Sequence, residues 1–152
     1  MITHLQHFSL SEFREWSGDM SPRLVVMLDV LRHMLGSPIE ISAHPDALGR
    51  KLGLSESAHN VDFWGEVLAV DCFVRGVYYR AQAAAVVEAA KIVGFTGIGI
   101  YPYWKNNKGE TQAGFHFDVR PTRKMGMPAT WAYYDGKSVS IEHGLNKLEA
   151  RA

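Results

Sequence analysis

The chain has 152 residues, of which 47% are hydrophobic and 21% are charged, a composition typical of one globular domain with its own core. Its 16 basic and 16 acidic side chains cancel, so no basic surface for nucleic acid is expected. The single cysteine, Cys72, excludes an internal disulfide and is expected to be a buried core thiol. We therefore expect residues 1–152 to form one monomeric domain.

The N-terminal part of the chain predicts two helices. The capping-box spacing of Ser9 and Glu12 predicts a short helix that continues to about Trp16. Pro22 stands at the first position of a second helix, and Gly36 ends that helix. Leucines at helical spacing give the second helix one apolar face, and they are Leu24, Leu28, Leu31 and Leu35.

Export and membrane segments are not predicted. The N-terminus lacks a basic stretch followed by a long apolar one, so we expect no secretory signal. The longest apolar stretch, residues 24–31, is interrupted by Asp29 and is too short to cross a bilayer. The expectation is a protein made in the cytoplasm and not inserted into a membrane.

The remainder of the chain alternates strands with one long helix. The predicted strands are residues 38–42, 68–73, 96–101 and 115–120, followed by a hairpin of residues 130–134 and 137–141 around an Asp135-Gly136 turn. Residues 78–93 predict a helix that Gly94 ends, and the tail from Glu142 predicts a short helix or disorder. Residues 43–65 and 103–114 are predicted as loops. Helices that precede a mostly antiparallel sheet indicate an α+β fold, with the N-terminal helices packed on the sheet.

Three residues suggest a metal site. His116 alternates with Phe115 and Phe117, so it is expected on the polar face of a strand whose other face is apolar. His59 lies in the long loop, and Asp71 follows the apolar run of residues 68–70. Two imidazoles and one carboxylate suit zinc, whose catalytic sites use three protein ligands and leave the fourth position to water.

The chain also carries a set of short motifs in a fixed order. They are Ser-x-His at residues 57–59, Ala-x-Asp at 69–71, Gly-Ile-Gly-Ile-Tyr-Pro at 97–102 and Phe-His-Phe-Asp-Val-Arg at 115–120. With these motifs the chain resembles the peptidoglycan-cleaving zinc peptidases related to D-Ala-D-Ala carboxypeptidases, which share their fold with the Hedgehog signalling domain. The resemblance covers residues 8–131, most of the chain.

The resemblance implies a fold, a cofactor and a substrate. It implies a Hedgehog/DD-peptidase-like domain in which Zn²⁺ is bound by His59, Asp71 and His116. It also implies hydrolysis of peptide bonds in peptidoglycan stem peptides, by an endopeptidase or a carboxypeptidase. A wall-degrading enzyme without an export signal suggests a phage-type endolysin that acts on the cell wall after its release.

The chain departs from the family pattern in three places. Asp71 lies twelve residues after His59, so residues 60–66 are an insertion, and Asp62 is an alternative ligand. We prefer Asp71 because a strand positions a side chain more rigidly than a loop. The family's Ser-Gly-Tyr-Arg, whose arginine binds the substrate carboxylate, is replaced by residues 42–45 without an arginine, which favours an endopeptidase. Where many relatives carry the acidic general base, the chain has Ala113.

Several polar residues are candidates for the remaining roles. Asp118 could orient an imidazole, act as the general base, or pair with a nearby arginine, and the sequence leaves these alternatives open. Glu110 is a second candidate base in the polar loop before the strand. His44, Tyr101 and Arg120 are candidates for contacts with the substrate.

The absence of an acid at position 113 supports one alternative function, a non-catalytic zinc-containing module of the same fold that binds wall fragments or another protein.

Overall fold

The computed structural model describes residues 4–124 and 126–150. Its centre is a sheet of six strands, ordered β1-β2-β4-β3-β5-β6. The strands are β1 (Ile39–Ile41), β2 (Ala69–Val74), β3 (Gly97–Lys105), β4 (Thr111–Asp118), β5 (Ala129–Tyr134) and β6 (Lys137–Val139). Only the β3–β5 pair is parallel among the described strands, so the expected α+β fold with a mostly antiparallel sheet is confirmed.

The helices that the sequence predicts begin and end close to the predicted positions, whereas two short helices within residues 43–65 were not predicted. They are α1 (Pro22–Leu35), α2 (Val61–Trp64), α3 (Arg80–Val93) and α4 (Ile141–Leu145), with 3₁₀ helices at Leu10–Trp16 and Pro45–Ala47. Ser21 caps α1 by accepting a hydrogen bond from the Leu24 N–H, and Gly36 ends it with a φ of 63°. In the part of the chain that the structure describes, no helix is long and apolar enough to cross a membrane.

The sheet has one apolar face and one polar face. Cys72 pairs with Phe115 across β2 and β4, and Ile100 pairs with Phe115 across β4 and β3. Directly paired residues point to the same side, and these three side chains are buried in the core that also includes residues of α1 and α3. Cys72 is therefore a core thiol, as expected. Asp71 and His116, next to these residues in sequence, lie on the opposite face.

Residues 103–114 were predicted as a loop, and this prediction is wrong. Strands β3 and β4 continue through most of this segment and form a long hairpin that turns at residues 106–110. Asn106 fixes the turn, because its side-chain oxygen accepts hydrogen bonds from the N–H groups of Lys108 and Glu110. Gly109 adopts a φ of 82°, which favours glycine. Polar composition concealed the strands because this part of the hairpin is largely exposed.

The C-terminal predictions are confirmed, except that β6 ends at Val139 and Ile141, predicted as strand, begins α4. Strands β5 and β6 form the expected hairpin, and both turn residues, Asp135 and Gly136, adopt positive φ angles of 52° and 74°. Helix α4 follows directly, with Ser140 as its cap. Residues 43–65 form the expected long irregular segment, apart from the short helices at Pro45–Ala47 and Val61–Trp64.

Candidate metal centre

Two of the three predicted ligands are brought together by the register of the sheet. Asp71 on β2 lies directly opposite His116 on β4. The Nδ1 atom of His116 is 3.1 Å from Oδ1 of Asp71, and both side chains are buried. Because these residues pair across rigid central strands, their relative position depends on the sheet and not on a loop.

The third residue, His59, comes from the long irregular segment. Asn60 holds this segment in place, because its side-chain nitrogen donates to the carbonyls of Gly53 and Ser55. The Nδ1–H of His59 donates to the Leu48 carbonyl at 2.6 Å, which directs Nε2 towards Asp71, 3.5 Å from its Oδ2. One ligand atom from each of His59, Asp71 and His116 lies within 4.8 Å of the other two.

Asp118 lies behind His116. Its Oδ2 is 2.8 Å from His116 Nε2, the ring nitrogen that faces away from Asp71. Its carboxylate also accepts hydrogen bonds from the Arg120 N–H and from Arg123 Nη1. Asp118 therefore orients the imidazole and pairs with Arg123, while Nδ1 faces Asp71 in the cluster. The same placement puts the imidazole ring between Asp118 and the cluster, which disfavours Asp118 as a general base.

Glycines make room for these side chains. A Cβ atom on Gly97 would lie 2.0 Å from Oδ2 of Asp118, and one on Gly99 would lie 2.7 Å from the Trp131 ring. The Trp131 ring in turn packs against the His116 imidazole, with 5.0 Å between ring centroids. The Gly-x-Gly of β3 is thus required by the groups that position His116.

The carboxylates and the imidazole shift one another's pKa. Burial by itself lowers the pKa of His116, but hydrogen bonds to Asp118 and Asp71 outweigh it and raise that pKa to about 9. Burial raises the pKa of Asp118, but the hydrogen bond from His116 brings it down to about 2. Burial likewise raises the pKa of Asp71, and hydrogen bonds from His116 and His59 reverse this, holding it well below its usual range. Without metal, His116 is an imidazolium between two carboxylates.

This arrangement predicts how the stability of the metal-free protein depends on pH. The pKa of His116 is about 9 in the folded protein against a model value of 6.5, so its contribution is complete below about pH 6.5 and is lost as the pH rises through about 9. Urea unfolding of chelator-treated protein should show this loss. The variant His116→Gln should lack this component of the pH dependence. An identical dependence in the variant would contradict the assignment.

The rival ligand Asp62 lies elsewhere. It is an exposed residue of α2, and its Oδ2 accepts a hydrogen bond from the Gly53 N–H at 3.1 Å. Asp62 thus holds the turn at Gly53 within the irregular segment of residues 43–65. Among the described residues, the group able to hold a metal contains Asp71 and not Asp62.

Asp71 also lines a cavity of about 370 Å³ whose wall was not predicted from the sequence. Arg50 lies in this wall, with Nη2 3.4 Å from Oδ2 of Asp71 and Nε donating to the Asp46 carbonyl at 2.8 Å. Trp104 and Lys105, from the end of β3, form another part of the wall. No local pattern marks these residues, because a loop and an unpredicted strand extension bring them together.

The candidates for contacts with the substrate lie at different distances from the cavity. His44 lines the cavity, and its Nδ1 accepts a hydrogen bond from the Asp46 N–H. Tyr101 shares the polar face of the sheet and stacks on Trp104 at 3.7 Å between ring centroids. Burial raises the pKa of Tyr101, and the charge of Asp71 adds to this rise, so Tyr101 is a neutral phenol.

Three candidates lie outside the cavity wall, and they are Tyr101, Glu110 and Arg120. Glu110 is exposed at the hairpin turn, and its carboxylate has no hydrogen bond or ion pair with any residue the structure describes. This position disfavours Glu110 as the base. Arg120 follows β4, where its N–H donates to Asp118, while its Nε is buried without a hydrogen-bond partner among the described residues.

The comparisons with known proteins found no relative of this chain. No family model, curated protein or solved structure matches this chain. What can be argued about function therefore comes from the motifs and from the geometry of the site.

Proposed function

We propose that this protein is a zinc-dependent peptidase that hydrolyses peptide bonds in bacterial peptidoglycan stem peptides. The observation that carries the proposal is the buried group of His59, Asp71 and His116 beside an open cavity. The order of the sequence motifs supports the peptidoglycan assignment and a Hedgehog/DD-peptidase-like fold. A phage-type lysin that reaches the cell wall after release fits the same motifs.

The donor atoms of the cluster suit zinc. His59 uses its Nδ1–H to bind the Leu48 carbonyl, and His116 binds Asp118 through Nε2, so each ring presents its other nitrogen to Asp71. Anchoring of the far nitrogen by a carbonyl or a carboxylate is the usual support for a metal-binding histidine. A zinc ion bound here would lower the pKa of a bound water to about 7 and polarise the scissile carbonyl.

The cavity next to the cluster suits a peptide that carries carboxylates. Arg50 and Lys105 bring positive charge to its wall, and Trp104 provides an aromatic surface. His44 accepts at Nδ1, so its neutral form carries the proton on Nε2 and can donate it to a carbonyl or carboxylate oxygen. Residues 42–45 lack the arginine of the family motif, but Arg50 brings a guanidinium to the same cavity. The missing motif arginine therefore no longer favours an endopeptidase over a carboxypeptidase.

Purified peptidoglycan and soluble muropeptides test the proposal directly. The zinc-loaded protein should release new amino groups from these substrates, and mass spectrometry of the products identifies the bond that is cleaved. Release of terminal D-alanine indicates a carboxypeptidase, and cleavage within or between stem peptides indicates an endopeptidase. Chelator-treated protein should be inactive until zinc is restored. Zinc-loaded protein that cleaves no muropeptide would contradict the proposal.

A non-catalytic zinc-containing module remains the alternative. It is favoured by the buried Ala113, which cannot accept a proton, and by the position of Asp118 behind His116. Such a module would sediment with insoluble peptidoglycan in a zinc-dependent manner and would leave the muropeptide profile unchanged.

Asp71 and Asp62 can be separated as ligands by matched substitutions. Asp71→Asn should weaken zinc binding by more than the roughly 10–100-fold that loss of an outer-sphere partner costs, because a charged ligand is removed. Asp62→Asn should bind zinc like the wild type, since the Asp62 carboxylate bonds only to the Gly53 N–H among the described residues. Competition titration with a chromogenic chelator measures both affinities. The reverse ranking would place the insertion elsewhere.

A further inference from the structure

A peptidase of the kind proposed needs a group that accepts a proton from the attacking water. Ala113 cannot do so, and Glu110 lies at the hairpin turn, outside the residues that line the cavity. Asp118 is separated from the cluster by the imidazole of His116. Asp46 is the acidic residue that lines the cavity besides the ligand Asp71, among the residues that the structure describes.

Arg50 connects the main chain of Asp46 to the cluster. The guanidinium of Arg50 donates from Nε to the Asp46 carbonyl and from Nη2 to the Asp71 carboxylate. A single guanidinium therefore spans the gap between the main chain of Asp46 and a ligand of the cluster. The Asp46 carboxylate itself is exposed and has no hydrogen bond or ion pair among the residues the structure describes.

The segment that carries Asp46 is held firmly. Arg14, in the unusual backbone conformation φ 54°, ψ −139°, directs its guanidinium to the carbonyls of Ser42 and His44. Asn107, from the β3–β4 turn, accepts a hydrogen bond from the Ala43 N–H at 2.8 Å. A backbone strained in this way persists only where surrounding contacts fix it, and such positions are frequent at functional sites.

We infer that Asp46 is the general base of the proposed reaction, an inference that rests on the proposed function. The water oxygen bonds to the carbonyl carbon of the scissile peptide while one water proton passes to the Asp46 carboxylate. The carbon–nitrogen bond then breaks, and Asp46 returns the proton to the nitrogen of the leaving amine. One water is consumed, and one carboxyl group and one amine are formed.

His44 also lines the cavity, and its tautomer suits a different task. Its Nδ1 accepts from the Asp46 N–H, so in the neutral ring Nε2 already carries a proton. His44 is therefore arranged to donate a hydrogen bond to the substrate and not to accept the proton of water. The main chain of Asp46 thus orients both His44 and Arg50.

The substitution Asp46→Asn tests the inference in the zinc-loaded protein with muropeptides as the substrate. Asparagine retains the main-chain contacts to His44 and Arg50 and removes only the base. We expect kcat to fall by about 10²–10⁴-fold, with zinc content and KM close to those of the wild type. Asp46→Glu, which keeps a carboxylate, should retain more turnover than Asp46→Asn. Asp62→Asn, an exposed aspartate of the same irregular segment, should be as active as the wild type.

Each contrary result has a distinct meaning. If the wild type cleaves muropeptides and Asp46→Asn does so at the same rate, Asp46 is not the base. If Asp46→Asn loses zinc together with turnover, or if Asp46→Glu is no better than Asp46→Asn, the role in proton transfer is also overturned. A zinc-loaded wild type without turnover contradicts the proposed function itself, irrespective of Asp46.

Discussion

Replacing His116 with alanine is expected to remove nearly all bound zinc and to abolish hydrolysis. His116 supplies one of three donor atoms, and its Nδ1 is held beside Asp71 by the bond from Nε2 to Asp118. With two ligands left, zinc affinity should fall by more than the roughly 10–100-fold that loss of an outer-sphere partner costs. Elemental analysis of protein purified with zinc and then desalted measures the occupancy.

His143→Ala is the matched control for this experiment. His143 is exposed on α4 and is not part of the metal-binding group, so its variant should retain one zinc per chain. Since His116 is buried, circular dichroism should accompany each measurement, and His116→Gln serves as a variant closer in size. Stoichiometric zinc in both His116 variants would contradict the ligand assignment.

The second large effect is expected from Asp118→Asn. The carboxylate of Asp118 keeps the proton of His116 on Nε2, whereas an amide group at this position can donate to Nε2 and move the proton to Nδ1, the nitrogen that faces the cluster. We therefore expect zinc affinity to fall by about 10–100-fold. Turnover should remain substantial when zinc is supplied in excess, because Asp118 positions His116 and is not among the residues that line the cavity.

Titration of zinc affinity and measurement of kcat at saturating zinc separate the two roles of Asp118. Unchanged affinity with kcat reduced by about 10²-fold or more would identify Asp118 as the base, as one reading of the sequence allowed. Arg123→Gln offers a comparison, because this substitution removes the Arg123 contact to Asp118 but leaves the bond between Asp118 and His116 in place, so it should change affinity less.

Most of the fold could be predicted because local signals agreed with it. Helix α1 begins at Pro22 and is ended by Gly36, and the Asp135-Gly136 pair fixes the C-terminal hairpin through its positive φ angles. The alternation around His116 gave the two faces of β4. The β3–β4 hairpin was missed beyond Tyr101 because its outer part is polar and exposed, and only the Asn106 turn reveals it.

The candidate site could be predicted only in part, because its ligands stand in local motifs and the residues around them do not. His59, Asp71 and His116 could be named from motifs, because each stands next to a recognisable pattern. The role of Asp118 depends on which ring nitrogen of His116 bonds to its carboxylate. That is set by the pairing of β2 with β4, which places Asp71 at the other ring nitrogen. Arg50 and its contact with Asp71 depend on the path of a long irregular segment, which no local sequence pattern specifies.

The position of the metal is the most direct test of this account. Crystals of the zinc-loaded protein, measured on both sides of the zinc absorption edge, should give one strong anomalous peak per chain. We expect that peak at about 2.0–2.2 Å from His59 Nε2, from an Asp71 carboxylate oxygen and from His116 Nδ1. A peak beside Asp62, or none at these three residues in crystals that contain zinc, would contradict it.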